Sequence, residues 1–245
     1  MNGVVARDWR RDWRVWAKAA WTAWLATWAW GCAAGKMRPP VEAGPFERVD
    51  LVNVRAVEPG LRVEVRYATS NNFMGRPVYG RAVACLQRPA ALALGRAHRR
   101  LAAAGYGILV MDGYRPWSVT KLFWESVPPS RREYVADPAK GSRHNRGCAV
   151  DCTLYDLRTG EEVAMPSAYD EPTSRAHASY GGGTAGERHA RDLLRGAMEA
   201  EGFTVLTNEW WHFDHGDWRR YPVLDVTFEV IEGASPALQR GGRRW

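Results

Sequence analysis

The segment S-R-H-N-R-G-C-A-V-D, residues 142–151, joins a polar, glycine-containing loop to the start of a strand. Residues 147–155 alternate with a period of two, which is typical of a β-strand. In such a strand Asp151 and Cys152 point to opposite faces. Because His144 lies in the loop just before it, the segment predicts an imidazole and a carboxylate near one junction of loop and strand.

A second short segment, E-W-W-H at residues 209–212, places a glutamate three positions before a histidine. A catalytic zinc ion takes imidazole and carboxylate ligands, three from the protein, and leaves a fourth position for water. His144, Asp151 and His212 supply that number, and Glu209 remains as a base that does not bind the metal. Glu209 and His212 fall on opposite faces of a straight strand, so a common site requires a turn or bulge between them.

The stretches around these segments predict a mixture of helices and strands. Residues 89–104 favour a helix, with Pro89 at an early position, apolar residues at Leu92, Leu94, Ala97 and Leu101, and Gly105 as its stop. Leu61 to Tyr67 (L-R-V-E-V-R-Y) alternates as a half-buried strand does. Further strands are predicted at 108–111 and 203–206, and further helices from 116 and over 187–200. The order has no regular βαβ rhythm, which favours a single α+β domain.

Composition changes along the chain predict four regions. Residues 1–36 form a leader, 37–45 a linker rich in proline and glycine, 46–231 the folded domain, and 232–245 a basic tail. The net charge of +7 belongs mostly to the two ends, since residues 1–35 and the last ten residues carry +3 each. The domain therefore has no basic stripe, and we expect no nucleic-acid partner.

The leader has the three parts of an export signal. Seven of the 13 tryptophans lie within the first 30 residues, where an arginine-rich stretch precedes the uncharged run from Ala19 to Trp30 and the small residues around Cys32. Twelve uncharged residues are too few to span a bilayer. We predict an exported protein, periplasmic or anchored to the membrane as a lipoprotein through Cys32; an amphipathic helix on the membrane surface is the alternative.

The other three cysteines leave two interpretations open. In an oxidising compartment Cys85 pairs with either Cys148 or Cys152. Otherwise all three are buried free thiols, which are common in protein cores.

Several motifs together resemble one known family. H-N-R-G-C-A-V-D-C-T-L-Y from His144 and E-W-W-H from Glu209 are accompanied, in the same order as in the family, by R-Y-A-T-S-N-N-F-M-G, G-Y-G-I-L-V-M-D-G-Y-R-P and M-P-S-A-Y-D. This set resembles the VanX-type D-alanyl-D-alanine dipeptidases, zinc peptidases of bacterial cell-wall metabolism. The resemblance extends from about Val63 to Phe213.

The resemblance implies a fold, a cofactor and a role for each matching residue. The implied fold is the LAS-type metallopeptidase fold, a small, mainly antiparallel central sheet flanked by helices with the zinc site on the sheet. One Zn²⁺ per chain is implied. The implied roles are zinc ligands for His144, Asp151 and His212, general base for Glu209, transition-state stabilisation for Arg115, ammonium binding for Asp170 with help from Tyr67, and a place near the substrate carboxylate for Ser142.

Some alternatives stay open beside this interpretation. Considered without the resemblance, Arg115 favours a structural salt bridge, because an arginine beside a proline in a loop is common. Trp210 and Trp211 either line the pocket or belong to the core. The expected substrate is a small dipeptide, D-alanyl-D-alanine. A D,D-carboxypeptidase or endopeptidase acting on peptidoglycan stems, and a non-catalytic cell-wall binding module with a structural metal, are the competing functions.

The compartment decides between two physiological roles. An exported enzyme meets dipeptide released by wall turnover, whereas a cytoplasmic one destroys biosynthetic dipeptide and lowers glycopeptide susceptibility. No feature of the sequence predicts an oligomeric state.

Overall fold

A five-stranded sheet forms the centre of residues 37–234, the part of the chain that the computed structural model describes. Its strands lie in the order β2-β4-β5-β7-β6, and β1 and β3 form a separate antiparallel pair. Only the β2–β4 neighbours of the central sheet are parallel, so the predicted mainly antiparallel α+β fold is confirmed. The strands are β1 (Leu51–Asn53), β2 (Arg62–Val63), β3 (Cys85–Gln87), β4 (Tyr106–Asp112), β5 (Ala149–Asp156), β6 (Phe203–Leu206) and β7 (Glu209–His215).

Two long helices pack against each other, and one of them covers β4. The α-helices between residues 37 and 234 are α1 (Val54–Val57), α2 (Arg88–Ala102), α3 (Trp117–Ser126), α4 (Ala185–Glu199) and α5 (Phe228–Ala234). The start of α4 is fixed by a capping box in which Thr184 and Glu187 satisfy each other's backbone N–H groups. In α2, Leu94, Ala97 and Leu101 are buried as predicted, but Leu92 is 47% exposed because it lies on the opposite side of the helix.

The predicted strand from Leu61 to Tyr67 is mostly wrong. Only Arg62–Val63 pairs with β4, and a 3₁₀ turn, Arg66–Ala68, follows almost at once. This segment lies at the edge of the sheet, where one neighbour alone supplies hydrogen bonds, so local packing overrides the alternating pattern. The backbone carbonyl of Tyr67 instead accepts hydrogen bonds from the N–H groups of Val78 and Tyr79.

The fold continues past both predicted ends of the domain, residues 46 and 231. In the predicted linker, Glu42 pairs with Arg146 and accepts a hydrogen bond from the N–H of Val223 at 2.8 Å. The predicted boundary at 231 falls inside α5. The leader with Cys32 and most of the basic tail lie outside the described residues. None of the helices in residues 37–234 is both long enough and apolar enough to cross a lipid bilayer.

The three cysteines of the described domain are buried free thiols, the second of the two sequence interpretations. Burial raises the pKa of Cys85 and of Cys148 to about 12. Cys148 was predicted to lie in the strand, but β5 begins one residue later, at Ala149. The N–H of Cys148 instead donates a hydrogen bond to the carbonyl oxygen of Arg143, across the turn that ends at Gly147.

Candidate metal centre and active-site cleft

Three neighbouring strands bring Asp112, Asp151 and His212 into one row. Asp151 on β5 is the register partner of Asp112 on β4 and of His212 on β7. Directly paired residues of adjacent strands point to the same face of a sheet, so these three side chains emerge together. A register shift between Val110 and Asp112 brings the second carboxylate opposite Asp151.

Strand β7 contains the bulge that a shared site for Glu209 and His212 requires. Val205 pairs with Phe213, yet the next residue of β6, Leu206, pairs with Glu209, so the residues between them on β7 have no counterpart. A bulge changes the direction in which successive side chains point. Glu209 Oε2 consequently lies 3.9 Å from Nδ1 of His212.

His144 reaches the row from the loop before β5. It begins a 3₁₀ turn that ends at Gly147, whose φ of 69° is readily adopted only by glycine. Nδ1 of His144 lies 2.7 Å from the carbonyl oxygen of Gly113. Its Nε2 lies 3.3 Å from Oδ1 of Asp151 and 3.1 Å from Nδ1 of His212.

The donor atoms of this triad suit a metal cation. One ligand atom from each of His144, Asp151 and His212 lies within 4.8 Å of the others, and all three residues are buried. The outer nitrogens face acceptors, Gly113 O for His144 and Asp214 Oδ1 at 2.9 Å for His212. In their neutral forms, the two rings carry their protons on these outer nitrogens and turn two lone pairs and a carboxylate oxygen inward, an arrangement that a cation stabilises.

The electrostatics of the triad also favour a positive charge at its centre. Burial disfavours the imidazolium form of His212, but hydrogen bonds to Asp151 and Asp214 outweigh it and raise the pKa of His212 to about 10. Burial likewise opposes ionisation of Asp151, yet His144 and His212 hold the pKa of its carboxyl well below the usual range.

Glu209 is placed beside the triad without belonging to it. Its side chain is 24% exposed and lines the cleft. Burial, followed by repulsion from Asp151, raises the pKa of Glu209 above that of a free glutamate. A raised carboxyl pKa brings a general base closer to the pH at which it has to take up and release a proton.

Arg115 makes a structural salt bridge and also lies at the metal centre, so both alternatives given for it by the sequence apply. Its Nη2 donates to Asp112 Oδ2 at 2.7 Å, and the same nitrogen lies 3.8 Å from Oδ2 of Asp151. The guanidinium lies over the rings of Tyr67 and Phe123, 5.3 and 5.0 Å from their centroids. The residue is therefore in a buried salt bridge and at the metal centre at once.

Asp170 and Tyr67 form a polar pair in the cleft. The hydroxyl of Tyr67 donates to Oδ2 of Asp170 at 2.9 Å. Asp170 is the only non-glycine residue with positive φ, 59°, within the described range, a conformation often found at functional sites. Burial and the charge of Asp151 raise the pKa of Asp170 well above its usual value.

One cleft of about 510 Å³ contains all of the predicted metal-binding, catalytic and substrate-binding residues. Ser142 lies at its wall, where its Oγ accepts a hydrogen bond from the N–H of His144 at 3.2 Å. The predicted residues that line this cleft are Tyr67, Arg115, Ser142, His144, Asp151, Asp170, Glu209 and His212. The fold thus collects segments more than a hundred residues apart around one cavity.

Comparison with known proteins identifies the family. The family model for peptidase M15, described as D-ala-D-ala dipeptidase, matches residues 47–231. The chain belongs to this peptidase family. The match covers the sheet, the triad and the cleft, and its limits lie close to the predicted domain, 46–231.

Several curated relatives in the D-ala-D-ala dipeptidase family are similar over most of the domain. A D-alanyl-D-alanine dipeptidase of Escherichia coli K12 is 32% identical over 193 residues, 79% of this chain and 97% of the relative. Proteins of the same name from Enterococcus faecalis V583 and Enterococcus faecium are 38% and 37% identical over 189 residues, 70% of this chain and 93% of each relative.

Three polar residues of this M15 site were not predicted. Asp112 holds Arg115 and accepts a hydrogen bond from the hydroxyl of Tyr79 at 3.0 Å. The hydroxyl of Tyr169 donates to Oδ2 of Asp151 at 2.9 Å. Asp214, the third, shares a strand face with His212 because it lies two residues further along β7. This spacing of two was a signal in the sequence, whereas nothing local pointed to the contact of Tyr169.

The two tryptophans of the family motif E-W-W-H differ in their surroundings. Both are buried, but only Trp211 also lines the cleft, so both interpretations apply to it. Trp210 is a core residue whose Nε1 donates to Ser167 Oγ at 2.8 Å.

Proposed function

We propose that the protein hydrolyses the dipeptide D-alanyl-D-alanine to two molecules of D-alanine. The observation that carries this proposal is a three-residue metal centre with a non-ligating carboxylate, Glu209, beside it in a cleft of about 510 Å³. The relatives named D-alanyl-D-alanine dipeptidase, which align over nearly their whole length, support the choice of substrate.

We propose zinc as the metal. Two imidazoles and one carboxylate from the protein are a donor set of catalytic zinc sites, which keep a fourth position for water or substrate. When bound, zinc lowers the pKa of water and polarises a carbonyl oxygen. His144, Asp151 and His212 hold the ion, and the outward hydrogen bonds to Gly113 and Asp214 fix the orientation of both rings.

Glu209 transfers the proton that hydrolysis requires. Its carboxylate removes a proton from the attacking water and delivers it to the nitrogen of the leaving D-alanine, so that the peptide bond breaks with no net change in the enzyme. Arg115 stabilises the negative charge that develops on the scissile carbonyl oxygen. Asp112 keeps the guanidinium in place for this role.

Asp170 selects substrates with a free amino terminus. Its carboxylate, oriented by Tyr67, pairs with the ammonium group of the dipeptide. An enzyme that trims long peptidoglycan stems has no need of this charge, because the corresponding end of its substrate continues as peptide. A preference for dipeptides over longer stems therefore rests on Asp170.

We propose that the enzyme is exported and acts on dipeptide released during wall turnover. The basic, tryptophan-rich leader followed by Gly31 and Cys32 supports this location and an anchor at Cys32. Detection of the lipidated protein in a membrane fraction, and its loss from that fraction in Cys32→Ser, tests the anchor. Recovery of the unmodified protein in the cytoplasm contradicts it.

The substrate is tested by assaying the zinc-loaded protein with D-Ala-D-Ala, L-Ala-L-Ala and a pentapeptide ending in D-Ala-D-Ala. We expect cleavage of D-Ala-D-Ala and little of the other two. Asp170→Asn should lower kcat/KM for the dipeptide roughly a hundred- to several-thousand-fold, since loss of one partner of a buried ion pair costs about 3–5 kcal/mol. The exposed Asp192→Asn is the matched control. Efficient cleavage of the pentapeptide by both the wild-type protein and Asp170→Asn would instead favour a carboxypeptidase.

A further inference from the structure

Arg143 lies between two residues of the site and lines the same cleft. It is flanked in sequence by Ser142 and by the metal-binding His144, and its side chain is 44% exposed. Its guanidinium carbon lies over the ring of Trp218 at 4.8 Å from the centroid, and its Nε lies 3.5 Å from Oδ2 of Asp214. Stacking and an ion pair thus position the guanidinium.

The donors of Arg143 remain available. Within residues 37–234 its guanidinium makes the ion pair with Asp214 but no hydrogen bond that meets normal geometry. Arg115, the other arginine of the cleft, differs because its Nε and Nη2 both donate to Asp112. A planar guanidinium with two free amino groups matches the two oxygens of a carboxylate.

Arg143 is one of two arginines among the described residues of the cleft, which also has several acidic side chains in its lining. Its acidic lining residues are Glu133, Asp151, Asp170, Glu171 and Glu209. Arg115 and Arg143 are the only lysines or arginines among the described lining residues. A zwitterionic substrate brings a carboxylate into this acidic surrounding, and Arg143 is the lining cation with both amino groups free to bind it.

Arg143 and the ammonium-binding pair, Asp170 and Tyr67, contact the metal centre through different residues. Oδ2 of Asp151 faces Arg115 and Tyr169, whereas its Oδ1 faces the two histidines. The path of direct contacts runs through Asp170, Tyr67, Arg115, Asp151, His212, Asp214 and Arg143. Asp170 therefore reaches the metal centre through Tyr67 and Arg115, whereas Arg143 reaches it through Asp214 and His212.

We infer that Arg143 binds the C-terminal carboxylate of the dipeptide and so determines specificity for a free carboxyl terminus. This inference rests on the proposed dipeptidase function. Together with Asp170 it provides opposite charges for the two ends of a zwitterion, with the scissile bond between them. The competing explanation is that Arg143 only steadies Asp214 and, through it, His212.

The two explanations are separated with a substrate that lacks the charge. Zinc-loaded wild type, Arg143→Gln and Arg143→Lys are assayed with D-Ala-D-Ala and with its C-terminal amide. Arg143→Gln should raise KM for the acid roughly 10- to 100-fold, the usual value of a hydrogen-bonded charge, and leave kcat/KM for the amide nearly unchanged. Arg143→Lys should restore part of the loss. Arg219→Gln is the matched control, because Arg219 is exposed, stacks on the same Trp218 ring at 4.1 Å and does not line the cleft.

Calorimetry in the inactive Glu209→Gln background gives a second readout, in which Arg143→Gln should weaken binding of the acid by the same factor. Equal losses for acid and amide, a lower zinc content in Arg143→Gln, or no change with either substrate overturns the inference while the dipeptidase function stands. Failure of wild type to cleave D-Ala-D-Ala overturns the function and this inference together.

Discussion

The two segments that supply the histidines of the metal centre hold them by different means. In the loop at 142–148, His144 is oriented by a neutral backbone carbonyl, that of Gly113, and by a turn that closes at Gly147. In β7, His212 is oriented by a charged side chain, Asp214, and Glu209 is brought beside it by a bulge.

Because of this difference, the loop and strand β7 make different contributions to the metal centre. A carbonyl fixes the direction of an imidazole without adding charge, so the loop contributes geometry. A carboxylate makes the imidazole more basic as well, and the pKa of His212 near 10 reflects the contributions of Asp151 and Asp214. Strand β7 therefore controls the electrostatics of the centre and also supplies its proton-transfer group.

Glu209→Gln tests whether β7 alone provides proton transfer. We expect kcat to fall by about 10²–10⁴-fold, the usual contribution of a general base, with zinc content unchanged because Glu209 is not a ligand. Steady-state kinetics and metal analysis of the purified protein measure both. The exposed Glu125→Gln is the control. Retention of full activity would remove Glu209 from the mechanism.

Removal of the metal tests the electrostatic side of the comparison. The pKa of His212 is raised from 6.5 to about 10 in the folded, metal-free protein, so its stabilising contribution is present below pH 6.5 and is lost as pH rises toward 10. One pKa unit corresponds to about 1.4 kcal/mol of stability. Because the charge of His212 is coupled to those of Asp151 and Asp214, we expect less than the full sum, a loss of about 3 kcal/mol of unfolding free energy for the chelated protein between pH 6.5 and 10.

Urea unfolding of chelated and zinc-loaded protein at pH 6, 8 and 10 measures this loss. Zinc-loaded protein should be much less sensitive to pH over the same range, because the metal keeps His212 neutral throughout. A flat profile for the chelated protein would contradict the assigned charge of His212.

Gly147→Ala tests the geometric side. The backbone there has φ 69°, and an added Cβ would overlap the side chain of Leu51 and approach the backbone N of Gln87 to 3.2 Å. We expect a loss of about 2–4 kcal/mol in unfolding free energy, from backbone strain and overpacking together. Gly160→Ala is a matched control, since Gly160 has φ 74° and no neighbour within 4 Å, and should lose about 1 kcal/mol. Equal losses in both variants would show that packing around the loop has no role.

Asp214→Asn is expected to have the smallest effect. It keeps the side-chain shape but removes the charge that faces His212, so zinc affinity should fall about 10- to 100-fold while kcat at saturating zinc is largely kept. Competition with a chelator of known affinity measures the change. Asp217→Asn on the following turn should leave affinity unchanged, and an equal drop in both variants would indicate a general charge effect.

The local parts of the site were predictable, and the register of the sheet was not. Strand β6 occurs at the predicted residues 203–206, and the helix predicted at 187–200 differs by only a residue or two. The strand predicted from Leu61 to Tyr67 failed because an alternating pattern does not reveal that a segment has a single neighbour at the sheet edge.

The sequence by itself determined which chemical groups the protein has and the order in which they occur. His144, Asp151, Glu209 and His212 lie in short motifs whose spacing already indicated a metal centre with a spare base. Only the tertiary structure decided that a bulge in β7 turns Glu209 toward His212, and that Asp112, Asp151 and His212 align across three strands. The physical reason is that periodicity reports the faces of one element, whereas register is set by pairing between residues far apart in the chain.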